Sequence, residues 1–281
     1  MSRMPSINRR EMLSLGLRAG LATAAGAAGM SAMTAALASA APPAPTAPTY
    51  DTGSFVSAAR GGATVDWAIA RPPGQTTPLR PVVLLHGKDS SAGTVMSMGV
   101  ERFLADAVAA GLPPFAIAAV DGGNGYWHRR ASGDDSGAMV LDEFLPLLAG
   151  QGLDTSRVAF LGWSMGGYGA MLLGSRLGPA RTAAICAVSP ALWTSPGAAA
   201  PGAFDGAEDY EANSVWGLRA LDGIPLRIDC GFDDPFASAT EQFIAQLPTP
   251  PAGGFSAGGH NASFWSSQLT PELSWVAPLL T

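Results

Sequence analysis

Beyond residue 80, short uninterrupted apolar runs alternate with stretches whose apolar positions recur every three to four residues. The runs span residues 82–85, 115–120, 158–161, 183–188 and 226–228, and the periodic stretches span 100–110, 139–149, 166–177 and 241–247. A strand without polar alternation is covered on both faces, so this order predicts βα units around a mostly parallel sheet flanked by helices. Residues 63–69 behave differently: Val65, Trp67 and Ile69 share one face, and Thr64, Asp66 and Ala68 share the other. That is a half-exposed strand. The Gly61-Gly62 pair before it suits a tight turn, which brings Phe55-Val56 back as an antiparallel partner in an entry hairpin. No internal repeat interrupts the series, and the Gly- and Ala-rich stretch 195–206 reads as a loop, so one α/β domain over 50–281 is expected.

The first forty residues depart from the pattern. Ser6-Ile7-Asn8-Arg9-Arg10-Glu11-Met12-Leu13 sets paired arginines before an Ala- and Gly-rich stretch that ends in Ala38-Ser39-Ala40. This predicts a twin-arginine type signal peptide over residues 1–40, cleaved after Ala40, where small side chains suit a signal peptidase. Residues 19–41 are uncharged and long enough to span a bilayer. Only Leu21, Met30, Met33 and Leu37 are strongly apolar there, however, and a weak, cleavable signal is expected in place of an anchor. The Pro/Ala-rich residues 41–49 then form an extended linker. The expectation is export through the twin-arginine route to a periplasmic, cell-wall or secreted location, with no stable membrane span after processing.

Composition narrows the chemistry. The 281 residues are 47% hydrophobic and 14% charged, which excludes disorder. The formal charge is −6, and because residues 1–40 hold four arginines and one glutamate, the remainder carries −9, the wrong sign for a nucleic-acid binder. Two cysteines exclude a disulfide framework, and a multi-histidine metal centre would consume nearly all three histidines. No metal and no cofactor are expected.

The densest chemical signal is Val158-Ala159-Phe160-Leu161-Gly162-Trp163-Ser164-Met165-Gly166-Gly167, a buried strand that runs into G-x-S-x-G and then a helix. Such an elbow holds a serine on a strained turn, where Gly162 and Gly166 leave room for the backbone and the helix dipole favours a developing oxyanion. Serine needs a base, and folds with this elbow supply acid and histidine later in the chain. His86 and His128 precede Ser164, which leaves His260 in Gly258-Gly259-His260-Asn261. His86 closes a buried strand in the His-Gly pair that opens an oxyanion loop, so the backbone N–H groups of Lys88 and Met165 are the expected oxyanion donors. The acid belongs at the carboxyl end of a strand between Ser164 and His260. Leu226-Arg227-Ile228-Asp229-Cys230-Gly231-Phe232-Asp233-Asp234-Pro235 is the buried strand there that runs into acidic residues; Asp229 lies within it, leaving Asp233 or Asp234. Asp205, Glu208, Asp209 and Glu211 read as a solvated face.

These residues resemble the exported esterases of the α/β-hydrolase superfamily, related to the esterase D and S-formylglutathione hydrolase group and to the mycolyltransferases. The resemblance covers roughly residues 80–270. It rests on His86-Gly87, Asp121-Gly122-Gly123 with Tyr126-Trp127-His128, Gly162 to Ala170, Asp229-Cys230-Gly231 with Asp234-Pro235-Phe236, and Gly258-Gly259-His260 with Phe264-Trp265. It implies an α/β-hydrolase fold, and it makes the aspartate before proline, Asp234, the acid; the departure is Asp233, where a small residue is more familiar. The activity it implies is carboxylic ester hydrolysis through an acyl-enzyme on a small-molecule or lipid ester. The alternatives are acyl transfer to a sugar or lipid alcohol, and a non-catalytic binding module. In such a fold Cys186 and Cys230 lie on neighbouring strands, as buried thiols or, against the usual adjacent-strand geometry, as a disulfide. Trp127, His128, Trp193, Phe236 and Trp265 are either pocket lining or core.

Overall fold

The structure is a computed structural model that describes residues 50–75 and 77–281; the expected signal peptide and linker lie outside the described residues. The entry hairpin is present. β1 (Tyr50–Ser57) and β2 (Ala63–Ala70) pair antiparallel around a turn in which Gly61 and Gly62 have φ of 65° and 89°. The five predicted apolar runs become β3 (Pro81–Leu85), β4 (Ala116–Val120), β5 (Val158–Trp163), β6 (Thr182–Val188) and β7 (Leu226–Gly231). A further strand, β8 (Ala252–Ser256), has no apolar run to announce it. The sheet order is β1-β2-β4-β3-β5-β6-β7-β8. β2 joins β4 antiparallel and every later pairing is parallel, which is the α/β-hydrolase arrangement. β3 to β6 are buried at every residue because both sheet faces are covered, and this is why their sequences show no alternation.

The helices are α1 (Ala92–Met96), α2 (Val100–Ala109), α3 (Ser136–Ala138), α4 (Leu145–Gly150), α5 (Met165–Leu177), α6 (Ala207–Ala212), α7 (Ala237–Gln246) and α8 (Ala262–Val276). The predicted helix over 139–149 forms, but Met139–Phe144 between α3 and α4 is π-helical. Pro146 has no N–H for an i→i−4 bond, and the wider turn accommodates that loss. Glu143 on this segment accepts from Ser57 Oγ at 2.5 Å and Ala59 N at 2.9 Å, tying it to the hairpin. α8 carries Pro271 inside it, which interrupts the periodicity by which a helix is recognised. Among the described residues no helix is long and apolar enough to cross a membrane.

Cys186 and Cys230 are free and buried, and the disulfide does not form. Cys186 stands opposite Arg227, so three residues of β7 separate it from Cys230, roughly 10 Å along the strand. An odd offset also points the two side chains to opposite sheet faces.

Candidate active site

β5 is buried at all six residues and ends against Ser164, whose backbone lies at φ 55°, ψ −118°. Non-glycine residues enter that region at a cost, held there by surrounding structure. The surroundings are visible: Ser164 N donates to Val188 O at 3.0 Å, and Ala191 N donates to Ser164 O at 3.0 Å. A Cβ on Gly162 would collide with the Gly166 backbone, and one on Gly166 would collide with the Leu85 carbonyl. Both glycines are therefore required by close backbone approach.

Three predicted site residues meet. Ser164 Oγ is 2.8 Å from His260 Nε2, and His260 Nδ1 is 2.9 Å from Asp234 Oδ2. With Nδ1 facing a carboxylate, the neutral ring carries its proton there and leaves Nε2 to accept from the serine. Asp234 is buried, whereas Asp233 is exposed and uses its backbone N–H on Gly258 O at 2.9 Å, so it is Asp234 that faces the imidazole. Burial alone would raise the Asp234 carboxyl, but hydrogen bonds from His260 and the Phe236 N–H outweigh it, and the net shift is downward from 3.8. His260 reaches this position because β8 runs parallel to β7, with Asp229 paired to Gly254 and Gly231 to Ser256. Gly231 then passes so close to the Gly258 carbonyl that a Cβ would clash.

Met165 follows Ser164 and opens α5, and Lys88 lies in the turn after β3, next to Gly87, whose own Cβ position lies 3.6 Å from Ser164 Cβ. Among the described residues neither the Lys88 nor the Met165 N–H donates to a protein acceptor. The loop carrying Lys88 is pinned by contacts the sequence did not announce. Gly122 N donates to His86 Nε2 at 2.9 Å, so the His86 proton is on Nδ1, which donates to Gly87 O at 2.7 Å. Burial lowers the His86 pKa and keeps the ring neutral, as this double role needs. Asn124 and Asp89 form a reciprocal pair, Asp89 N to Asn124 Oδ1 at 2.8 Å and Asn124 Nδ2 to Asp89 Oδ1 at 2.7 Å. The Lys88 ammonium pairs with Asp89 at 3.1 Å, on the loop's exterior.

The aromatic residues divide. Trp127 and His128 are fully buried and belong to the core. Trp193, Phe236 and Trp265 are half-buried: Phe236 and Trp265 lie beside the imidazole, with ring centroids 5.3 and 5.2 Å from His260, and Trp193 packs behind Phe236 at 5.5 Å. The acidic stretch 205–211 is not simply a solvated face. Asp205 accepts a forked pair from Arg130 at 2.7 and 3.2 Å, which with the Ala131 N–H lowers its carboxyl to about 2. Asp209 approaches His128 Nδ1 at 3.6 Å. These contacts fasten the segment after β6 over the aromatic cluster.

Comparison with protein-family models and with curated proteins finds no match. Solved structures do match. A ferulic acid esterase is similar at 22% identity and TM-score 0.71, covering 82% of this chain and 98% of that one. The S-formylglutathione hydrolase from Agrobacterium tumefaciens is similar at 21% identity and TM-score 0.66, covering 84% and 98%. MPT51 (FbpC1) of Mycobacterium tuberculosis is similar at 16% identity and TM-score 0.66, covering 84% and 100%. At these identities the likeness carries the fold, that of the groups the sequence motifs resemble.

Proposed function

We propose that this chain hydrolyses carboxylic esters through an acyl-enzyme, with Ser164 as nucleophile, His260 as base and Asp234 as the residue that orients the imidazole. The observation that carries the reading is the unbroken chain from Ser164 Oγ to His260 at 2.8 Å and from His260 to Asp234 at 2.9 Å. His260 Nε2 takes the Ser164 proton as Oγ bonds to the ester carbonyl carbon. The negative charge moves to the carbonyl oxygen, where the Lys88 and Met165 N–H groups receive it, each such donor being worth ~3 kcal/mol. The tetrahedral adduct collapses as the imidazolium gives its proton to the leaving alkoxide, and the acyl group stays on Ser164. Water repeats the sequence, and the carboxylate departs. Asp234 stays ionised throughout; its lowered pKa supports that role.

Phe236 and Trp265 beside the imidazole, with Trp193 against Phe236, support an apolar acyl or alcohol group on a small-molecule or lipid ester. The esterases and hydrolases among the structural neighbours support the same substrate class. The proposal extends to export of the mature domain through the twin-arginine signal; Arg9→Lys with Arg10→Lys should then strand the precursor in the cytoplasm.

A chain-length series of nitrophenyl esters, with and without an added alcohol acceptor, tests the reaction. Free carboxylate as main product supports hydrolysis, and acyl ester formed with the added alcohol in its place assigns an acyltransferase. Absence of turnover together with no labelling of Ser164 by an organophosphonate would leave a binding module.

A further inference from the structure

Tyr126 and Trp127 are consecutive non-glycine residues in the left-handed region, at φ 56° and 60°. Side chains this bulky enter that region at a steric cost, which persists only where the surrounding structure holds it. Trp127 is fully buried, and its Nε1–H meets no acceptor among the described residues, a second cost. The ring is therefore held by shape. A Cβ on Gly122 would lie 2.3 Å from Trp127 Cζ3, and one on Gly169 would lie 2.3 Å from Cδ1, so the indole fills the gap between the turn after β4 and α5. The His86 ring packs against it in a T-shaped pair, with centroids 5.1 Å apart and planes at 63°.

These neighbours lead to both expected oxyanion donors. Gly169 lies one helical turn beyond Met165, on the element that starts from Ser164. Gly122 N donates to His86 Nε2 at 2.9 Å, and the loop beyond Gly87 hangs from the same stretch: Asp89 N donates to Asn124 Oδ1 at 2.8 Å, and Ala92 N donates to Asp121 Oδ1 at 2.5 Å. The place of the Lys88 N–H is thus set from 121–124, and 121–124 rests on the indole. We propose that Trp127 is a positioning residue for the oxyanion site: wedged between Gly122 and Gly169, it fixes how far the loop carrying Lys88 stands from the elbow carrying Met165. The proposal rests on the reading of Ser164 as nucleophile with the Lys88 and Met165 N–H groups as donors. It accounts for a strained, unpartnered tryptophan, since a smaller ring would leave the gap unfilled and let the two elements shift. Misplaced donors weaken the bonds made to the oxyanion and leave the bound ester nearly untouched, so the loss falls on kcat and spares KM.

The test compares Trp127→Phe, Gly122→Ala and the two together with the wild type, reading kcat and KM on a nitrophenyl ester, affinity for a trifluoromethyl ketone, and melting temperature. Ser164 Oγ adds to the ketone carbonyl carbon as His260 Nε2 takes its proton, and the charge formed on the ketone oxygen needs the same two donors as the ester adduct. Trp127→Phe opens a void beside Gly122, whereas Gly122→Ala drives a methyl into the indole. Each should lower kcat and ketone affinity together by roughly 10-fold, a part of the ~10²–10³-fold that removing a donor costs, with KM unchanged. In the double variant the methyl enters the space vacated by the larger ring, so both quantities should return to within about 3-fold of the wild type. A merely structural role would lower the melting temperature without that split and that recovery. Wild-type kcat and ketone affinity in folded Trp127→Phe overturn the proposal, as do losses that simply add in the double variant. Asn124→Ala, at an exposed side chain, reads the same suspension without touching the core, and should lower kcat and ketone affinity by about 3-fold. Wild-type values there overturn it too, since the loop would not hang from 121–124. Failure of the catalytic reading looks different: Ser164→Ala would then turn over ester as fast as the wild type, whatever residue 127 is.

Discussion

β5 and β8 each deliver one member of the site, and they are built in opposite ways. β5 is the sheet's interior, buried at all six residues, and its turn into α5 is fixed by glycines within a few positions of Ser164. β8 is an edge strand of Ala252-Gly253-Gly254-Phe255-Ser256, partly exposed along its length, with φ of 85° and 150° at its two glycines. Ser164 is therefore held by its own segment, whereas His260 is held by what its segment leans on: β7 on one side, the Asn261 cap of α8 on the other. Such a division suits the proposed chemistry, in which a serine nucleophile stays strained and fixed while the imidazole gives its proton first one way and then another.

If the two regions form one catalytic unit, the largest effect comes from removing either end. Ser164→Ala and His260→Ala should each lower kcat by roughly 10⁶-fold, with the double variant little worse than either single. Ester turnover by purified, folded variants checks this. A single variant retaining a tenth of the activity would separate the regions and break the comparison.

The junction between them comes next. Asp234→Asn should keep the shape but present an amide where an acceptor is needed, lowering kcat by ~10⁴-fold at neutral pH. Asp233→Asn, which alters an exposed and screened carboxylate, should change kcat by less than about 2-fold. A reversal of these two results would hand the acid role to Asp233.

A stability measurement sharpens the contrast of interior and edge. Phe160 in β5 is fully buried, and Phe160→Ala should cost ~3–5 kcal/mol in denaturant unfolding. Phe255 in β8 is half-buried and stacks on exposed Phe232 with centroids 6.2 Å apart, so Phe255→Ala should cost about 1 kcal/mol or less. Equal losses would mean that β8 is no mere edge.

The smallest effect concerns the two buried histidines, His86 and His128. Burial holds His86 and His128 below the ordinary value of 6.5, so both are neutral in the fold and gain a proton on unfolding once pH drops under that value. Their contribution is complete above pH 6.5 and is lost progressively as pH falls from there toward their folded values. The melting temperature should therefore fall by roughly 2–4 °C per kcal/mol lost between pH 7 and 5, and His128→Gln should flatten the decline. A melting curve indifferent to pH in that window would show the imidazoles to be already protonated when folded.

Legibility in the sequence followed the same division. β3 to β7, the entry hairpin and the elbow all rest on residues close together in the chain, and each is found where the apolar pattern predicts it. β8 and α8 leave no apolar signature, because one is too small and glycine-rich to look apolar and the other is interrupted by Pro271. His260 is legible from its place in the chain, without the strand that carries it. The choice between Asp233 and Asp234 rests in the sequence on a resemblance, since adjacent residues at a strand end look alike until a partner faces one of them.

By itself, the sequence determined the alternation of buried strands and helices and the strained serine turn, because steric limits and burial act over a few neighbouring residues. Only the tertiary structure decided which distant groups meet: Ser164 with His260 across 96 positions and His260 with Asp234 across 26. It also parted the two cysteines, sent Trp127 and His128 to the core while leaving Phe236 and Trp265 beside the imidazole, and turned Asp205 toward Arg130. Those outcomes depend on strand order and register. A shift of one residue in the pairing of β7 with β8 would turn each side chain to the other face.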